Sequence, residues 1–320
     1  MQDAPPETET GDRSPGEPQR AAPSWLTEPP NNSAPETEFG PTLLTSRTVL
    51  SVRGAEAVTF LDGLVTAPVA AMAPGEGSWA ALLSPQGKVL FEFIVYRDDD
   101  GLLIDMAASV AVGLMQRLSL YKLRADVTLA VEQDLAVVVA SGAYPGLEPD
   151  ARHAGLGYRG CLARSDVGDG DADAGERAYE RRRISLLVPE VPADFDAGVV
   201  FAHDIGLDQL GGVSFSKGCY VGQEVVSRMR HRGTARRRIV GVRAAGELPA
   251  RGADLLLGDK TVGTLGRSAD GVGLTLARID RLAKGAENNL PLKVGDADVT
   301  LFLPDYATYS LDAQAAEPTS

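Results

Sequence analysis

The stretch Phe215 to Arg238, FSKGCYVGQEVVSRMRHRGTARRR, gathers seven Lys or Arg residues, one acid and one of only two cysteines in the chain. The rest is acidic, with a formal net charge of −13 over 320 residues. If the residues after Gly222 form a helix, Cys219 lies just before its N-terminus. Lys217 and the arginines then favour thiolate, a nucleophile and a ligand for soft metals. A buried, inert cysteine beside a turn accounts for the same residues equally well. QEVVSRMRHR itself reads as either a short helix or a strand. The arginines suit a solvated edge or an anion site for a polyglutamate, a phosphate or RNA. Interleaved aromatics, the mark of single-strand recognition, are missing from the Arg228–Arg238 patch.

Other candidates are weaker. Glu92 lies in an apolar strand, where an acid is unusual. Alternation with Phe91 and Phe93 points it to solvent. Gly155, Gly157 and Gly160 match a dinucleotide string, but no strand precedes them and no amphipathic helix follows. Asp98 to Asp100 are turn residues, and Asp166, Asp169, Asp171 and Asp173 read as a solvated acidic loop. His153, His203 and His231 have no ligand spacing, so no protein-encoded metal site is expected.

The elements that would position these groups begin near Leu43. Residues 1–40 hold eight of the twenty prolines, eight acids and two arginines. They read as a disordered acidic tail that cannot bury enough apolar surface to order itself. SRTVLSVRG is a strand and AEAVTFLDGLVT a helix. WAALLSPQGKVLFEFIVYRDDDGLLIDM is a β-meander with two polar turns. SVAVGLMQRLSLYKLRADV returns to helical spacing. This makes residues 41–128 an α+β unit of ferredoxin-like type. A second α+β unit spans 129–235 and carries the KGCYVGQE motif. It includes the strand LAVVVASG and a strand in AYERRRISLLVPE. Short strands with glycine turns make 236–310 a small β-barrel, followed by a loose tail, 311–320. No apolar run is long enough for a span, so no membrane partner is expected. Sparse cysteine, with no secretory or transit signal, reads as cytoplasmic.

Lys217-Gly218-Cys219-Tyr220-Val221-Gly222-Gln223-Glu224 resembles the K-G-C-Y-x-G-Q-E signature of the YgfZ-type folate-binding proteins. These are the iron–sulfur cluster assembly branch of the aminomethyltransferase (glycine-cleavage T-protein) superfamily. GLDQLGGVSFS, SRMRHRG, FLDGLVT, LLSPQGKVLFEFIVYR and PDARHAGLGYR are similar to other family segments, so the resemblance covers Leu43 to Asp305. It implies a cloverleaf: two ferredoxin-like-type α+β units and a C-terminal β-barrel around a central folate pocket. The implied function is tetrahydrofolate binding in support of assembly or repair of four-iron enzymes, with an indirect effect on tRNA modification. The implied partners are folate and iron–sulfur client enzymes or cluster carriers, without direct nucleic-acid binding. Cys219 and Lys217 are the candidate reactive groups. Tyr220, Gly222, Gln223, Glu224, Arg228, Arg230 and Glu92 are candidate folate contacts. Glu224 would accept from the pterin edge, and Arg228 or Arg230 would pair the glutamate tail. The alternative is a tetrahydrofolate-dependent aminomethyl transferase. Its consecutive acids fall here on Phe91 and Glu92, leaving one carboxylate.

Overall fold

The computed structural model describes residues 23–29, 38–168, 172–233, 235–286, 288 and 290–311. The strand β1 (Thr42–Leu43) leads into β2 (Arg47–Arg53), helix α1 (Ala57–Asp62) and the meander β3 (Gly77–Leu83), β4 (Val89–Asp98) and β5 (Gly101–Ala107). Helix α2 (Ala111–Lys122) and β6 (Thr128–Val131) follow. These strands, β1 excepted, form one antiparallel sheet in the order β3-β4-β5-β2-β6. Alternation along β2 and β4 sends Leu50, Val52, Phe93 and Val95 to one face. There they meet Leu61 of α1 and Leu114 and Leu118 of α2.

A second sheet is built from β7 (Leu135–Ala140), β8 (Glu148–Pro149) and β9 (Tyr158–Ala163), in the order β1-β7-β9-β8. β1 thus belongs with the second sheet, and β6 crosses residue 128 to complete the first. Helix α3 (Ala172–Ser185) follows, then α4 (Gln223–Arg232). The barrel comprises β10 (Arg237–Arg243), β11 (Asp254–Leu257), β12 (Lys260–Ala269), β13 (Val272–Arg278), helix α5 (Ile279–Ala286), β14 (Leu292–Val294), β15 (Ala297–Asp298) and β16 (Thr300–Phe302). Its strands run in the order β15-β14-β11-β12-β13-β10-β16 around a Val- and Leu-rich interior.

Three expectations are corrected. AYERRRISLLVPE carries the end of α3, not a strand, and the acidic loop yields to that helix from Ala172. Buried Arg182 and Arg183 occupy the inward face beside Ala178 and Tyr179, so the apolar periodicity is hidden. Asp169 and Asp171 lie outside the described residues. The 1–40 tail is anchored where it is described. Leu301 donates its amide to the Trp25 carbonyl at 2.7 Å, Trp25 is buried in the barrel core, and Phe39 meets Tyr179 edge-on. Leu311 is likewise buried in the barrel rather than loose.

Candidate functional site

The KGCYVGQE string forms a turn capped by α4. Gly222 takes φ 82° at the α4 N-cap, a left-handed conformation that glycine adopts without strain. A Cβ there would stand 2.7 Å from the Ser84 carbonyl oxygen. Gly87, in the meander's first turn, would meet Val225 at the same distance. The two glycines let the motif turn sit directly on the SPQG hairpin turn. This also settles the open reading of QEVVSRMRHR as a helix, anchored inward by Val226.

Lys217 fastens the other side. Its ammonium donates to the carbonyls of Asp62, Val65 and Ala67, and lies 3.2 Å from the Asp62 carboxylate. Burial lowers its pKa, partly opposed by Asp62. The structure places Lys217 as a clamp between the motif and the end of α1. Tyr220 is buried beneath it with its hydroxyl unpartnered, and burial pushes that hydroxyl up to about 12. Between these two anchors Cys219 is a free, exposed thiol. Cys161 is its opposite: half-buried in β9, with its pKa raised by burial and by Asp105.

The cations of the stretch do not form one free patch. Arg237 pairs with Asp204, and Arg238 forks onto Asp208 at 2.8 and 3.0 Å. Arg230 stacks over Phe215 at 3.9 Å. Glu224 and Arg228 form an i,i+4 pair at 2.9 Å on the outer face of α4, where the Glu224 side chain is 86% exposed. Gln223 is half-buried at the first turn. The structure thus gathers Lys217, Cys219, Tyr220, Gly222 and Gln223 in one turn. Glu224, Arg228 and Arg230 face outward.

Glu92 lies elsewhere, and the solvent-facing expectation for it is overturned. It is 1% exposed, and Trp79 donates its indole N–H to it. The strand alternates as expected, but its second face meets the rest of the protein, not water. That interior holds a polar network that no contiguous motif announces. Arg47 donates Nε to Asp105 at 2.7 Å, and Arg159 donates Nε to the other oxygen of Asp105 at 2.6 Å. Arg152 forks between Asp150 and Glu190, at 2.8 and 2.6 Å. The Tyr179 hydroxyl accepts from both Arg152 and Arg159. Arg183 binds Asp194 at 2.7 Å, and Asp194 accepts from the Glu190 amide. All are buried.

Four guanidinium groups therefore face Asp105, Asp150, Glu190 and Asp194, and Glu92 is a fifth acid. Burial opposes ionisation of Asp105 and Asp150, but Arg159, Arg47 and Arg152 overcome it and hold both below the usual range. Glu190 is held well below it by Arg47, Arg183 and Arg152. For Glu92 burial wins, and its pKa rises despite Arg47 at 3.8 Å. The signals available in the sequence were Asp105 inside GLLIDM and Arg159 inside GYRGC, charges set in apolar strands.

Three buried polar atoms in this interior have no hydrogen-bond partner: Glu92 Oε1, Tyr96 Oη and Arg159 Nη2. An acceptor, a hydroxyl and a guanidinium donor together match a flat heterocycle carrying both amide and amine groups. Among the described residues no group of His, Cys, Asp and Glu could hold a metal ion. A separate cleft of about 490 Å³ lies between α3 and β12, lined by Glu176, Arg177, Glu180, Arg181 and Arg267 among others.

The C-terminal β-barrel domain of CAF17 matches residues 236–309. Human iron–sulfur cluster assembly factor IBA57, mitochondrial, is 33% identical over 271 residues, covering 73% of this chain and 76% of that protein. The chain belongs to the IBA57 family. The mouse IBA57 is 28% identical over 306 residues, with 82% and 84% of the two chains covered. A Neurospora crassa IBA57 homolog is 32% identical over 249 residues, 67% of this chain and 56% of the homolog. Among solved structures, the glycine cleavage system aminomethyltransferase T of Bartonella henselae superposes with a TM-score of 0.63 at 14% identity, over 84% of this chain and 86% of that one. The fold is that of the aminomethyltransferase, and the resemblance to YgfZ-type proteins led to the right branch without reaching IBA57. The cytoplasmic expectation is overturned, because these IBA57 relatives are named as mitochondrial proteins. Sparse cysteine indicates a reducing compartment but does not identify which one.

Proposed function

We propose that this chain supports assembly or repair of iron–sulfur enzymes, with Cys219 as the thiolate it contributes to a cluster in transit. One observation carries the reading: the KGCYVGQE turn is pinned by Lys217 and Gly222 while its cysteine stays free and exposed. A cluster needs several thiolates. One exposed cysteine therefore calls for a partner, either a carrier or a client enzyme, that supplies the rest. The names of the IBA57 relatives support the same reading. Any effect on tRNA modification would be indirect, through a client that is itself a cluster enzyme.

Tetrahydrofolate is the ligand we assign to the buried interior. Glu92 Oε1, Tyr96 Oη and Arg159 Nη2, buried without hydrogen-bond partners, support it. Glu92, whose pKa is raised by burial against the pull of Arg47, would meet the pterin edge, and Arg159 would donate to it. The motif residues Tyr220, Gly222, Gln223 and Glu224 remain candidate folate contacts, with Arg228 and Arg230 as the candidates toward the anionic tail. Isothermal calorimetry with tetrahydrofolate tests both parts. Binding should weaken in Glu92→Gln and in the Arg228→Ala/Arg230→Ala chain, and unchanged affinity in the latter refutes tail pairing. The aminomethyltransferase fold favours a second reading, a one-carbon transferase with Glu92 as its acid–base group. Its weakness is Phe91, which packs into the first unit's apolar core where a second acid would be needed. Deleting the gene separates the readings. The assembly factor predicts loss of four-iron enzyme activities with glycine cleavage intact, and the transferase predicts the reverse.

A further inference from the structure

Helix α2 carries a face that neither the core nor the motif uses. Ala111, Leu114 and Leu118 pack inward. On the opposite side Val112 is 62% exposed, Leu120 is 70% exposed, and Leu123 at the helix end is 88% exposed. Helical spacing puts Val112 and Leu120 on one crown, with Gln116 and Ser119 between them, and Leu123 follows at the C-cap just past the helix. Leu123 also holds a positive φ of 44°, a conformation disfavoured for a leucine. Backbone preference alone would not place a fully exposed aliphatic residue there.

The electrostatics are as unusual as the exposure. Ala107 to Ala125 contains no acid, in a chain of net charge −13. It contains Arg117, Lys122 and Arg124. Within the helix Arg117 and Lys122 fall on opposite edges of the crown, and Arg124 follows two residues past its end. The bordering acids along the chain are accounted for. Asp105 is buried between Arg47 and Arg159, and Asp126 lies past the end of the helix, where its amide meets Glu56.

We propose that the crown of α2 docks on an anionic lipid surface, with Val112, Leu120 and Leu123 entering the interface and Arg117, Lys122 and Arg124 at headgroup level. An aliphatic centre between two basic edges is the layout of an interfacial helix. None of the crown residues lines the cleft between α3 and β12. A protein partner's anchor residues would want a pocket, which a bilayer does not need. Among the described residues no helix is long and apolar enough to cross a membrane. The expectation of no membrane partner rested on the lack of a span, and an interfacial helix is not a span.

Flotation of the full chain with vesicles tests this. The wild-type chain should float with phosphatidylcholine vesicles doped with phosphatidylglycerol. It should float at least ~10-fold less with phosphatidylcholine alone, and less again at high salt, as screening requires. Leu120→Ser/Leu123→Ser should lose at least ~10-fold in partition, since each apolar side chain withdrawn from the interface weakens binding. Arg117→Gln/Arg124→Gln should weaken binding and flatten its salt dependence. Both pairs are exposed, so an unchanged thermal melt confirms the variants fold. Failure of the wild-type chain to float with anionic vesicles overturns the proposal and points to an acidic protein surface instead. Wild-type-like flotation of the double-serine chain overturns it as well.

Discussion

The motif turn and the central interior use the same residue types to opposite ends. On α4, Glu224 and Arg228 meet in water, and their pairing is worth only tenths of a kcal/mol. Inside, Arg47, Arg152, Arg159 and Arg183 meet their acids out of water. There each charge depends on its partner, because an uncompensated buried ion is far more costly than the pair. The fold depends on the interior ion pairs, whereas the proposed cluster thiol sits on the surface. The exposed thiol is replaceable without cost to the fold, and the buried carboxylates are not.

The sharpest way to break this contrast is to remove a buried acid. Asp105→Ala orphans both Arg47 and Arg159 and should cost about 3–5 kcal/mol in denaturant unfolding. A loss below ~1 kcal/mol would mean that water reaches the network. Next in size is Gly222→Ala, which strains a left-handed residue and pushes a methyl group at the Ser84 carbonyl. It should cost about 1–3 kcal/mol in a thermal melt.

Glu92→Gln sharpens the comparison through pH. Glu92 titrates above its ordinary value of 4.5, so its contribution is intact below that value and is lost as pH rises through its folded pKa. Urea unfolding across this range should show the glutamine chain gaining on the wild type as pH rises. Asp105, Asp150 and Glu190 run the other way. Their contribution is present above the ordinary 3.8 and 4.5 and fades as pH falls below them, so both chains should weaken in acid. The smallest effect belongs to the surface. Arg228→Ala should change stability by no more than ~0.5 kcal/mol.

Legibility in the sequence followed contiguity. The cysteine turn was readable because eight adjacent residues carry it, and the meander because its strands alternate between two polar turns. The ion network was not, because its members run from Arg47 to Asp194 on separate elements. Asp105 and Arg159 stand out singly as charges in apolar strands, but nothing contiguous joins them to their partners. The same burial of arginine disguised α3, where Arg182 and Arg183 stand in positions that a helical pattern expects to be apolar. Glu92 was misjudged for a related reason. Alternation gives the face of a strand but not what covers that face. Trp25 and Phe39 were missed because single aromatic anchors leave no mark in an average over a Pro-rich, acidic segment.

The central claim is tested most directly by Cys219→Ser in cells lacking the native gene, with four-iron enzyme activities and the purified chain's melting temperature measured side by side. The account predicts activities as low as in the deletion, with a melting temperature matching the wild type. Full recovery of those activities, or a melting temperature that collapses with the substitution, would contradict it.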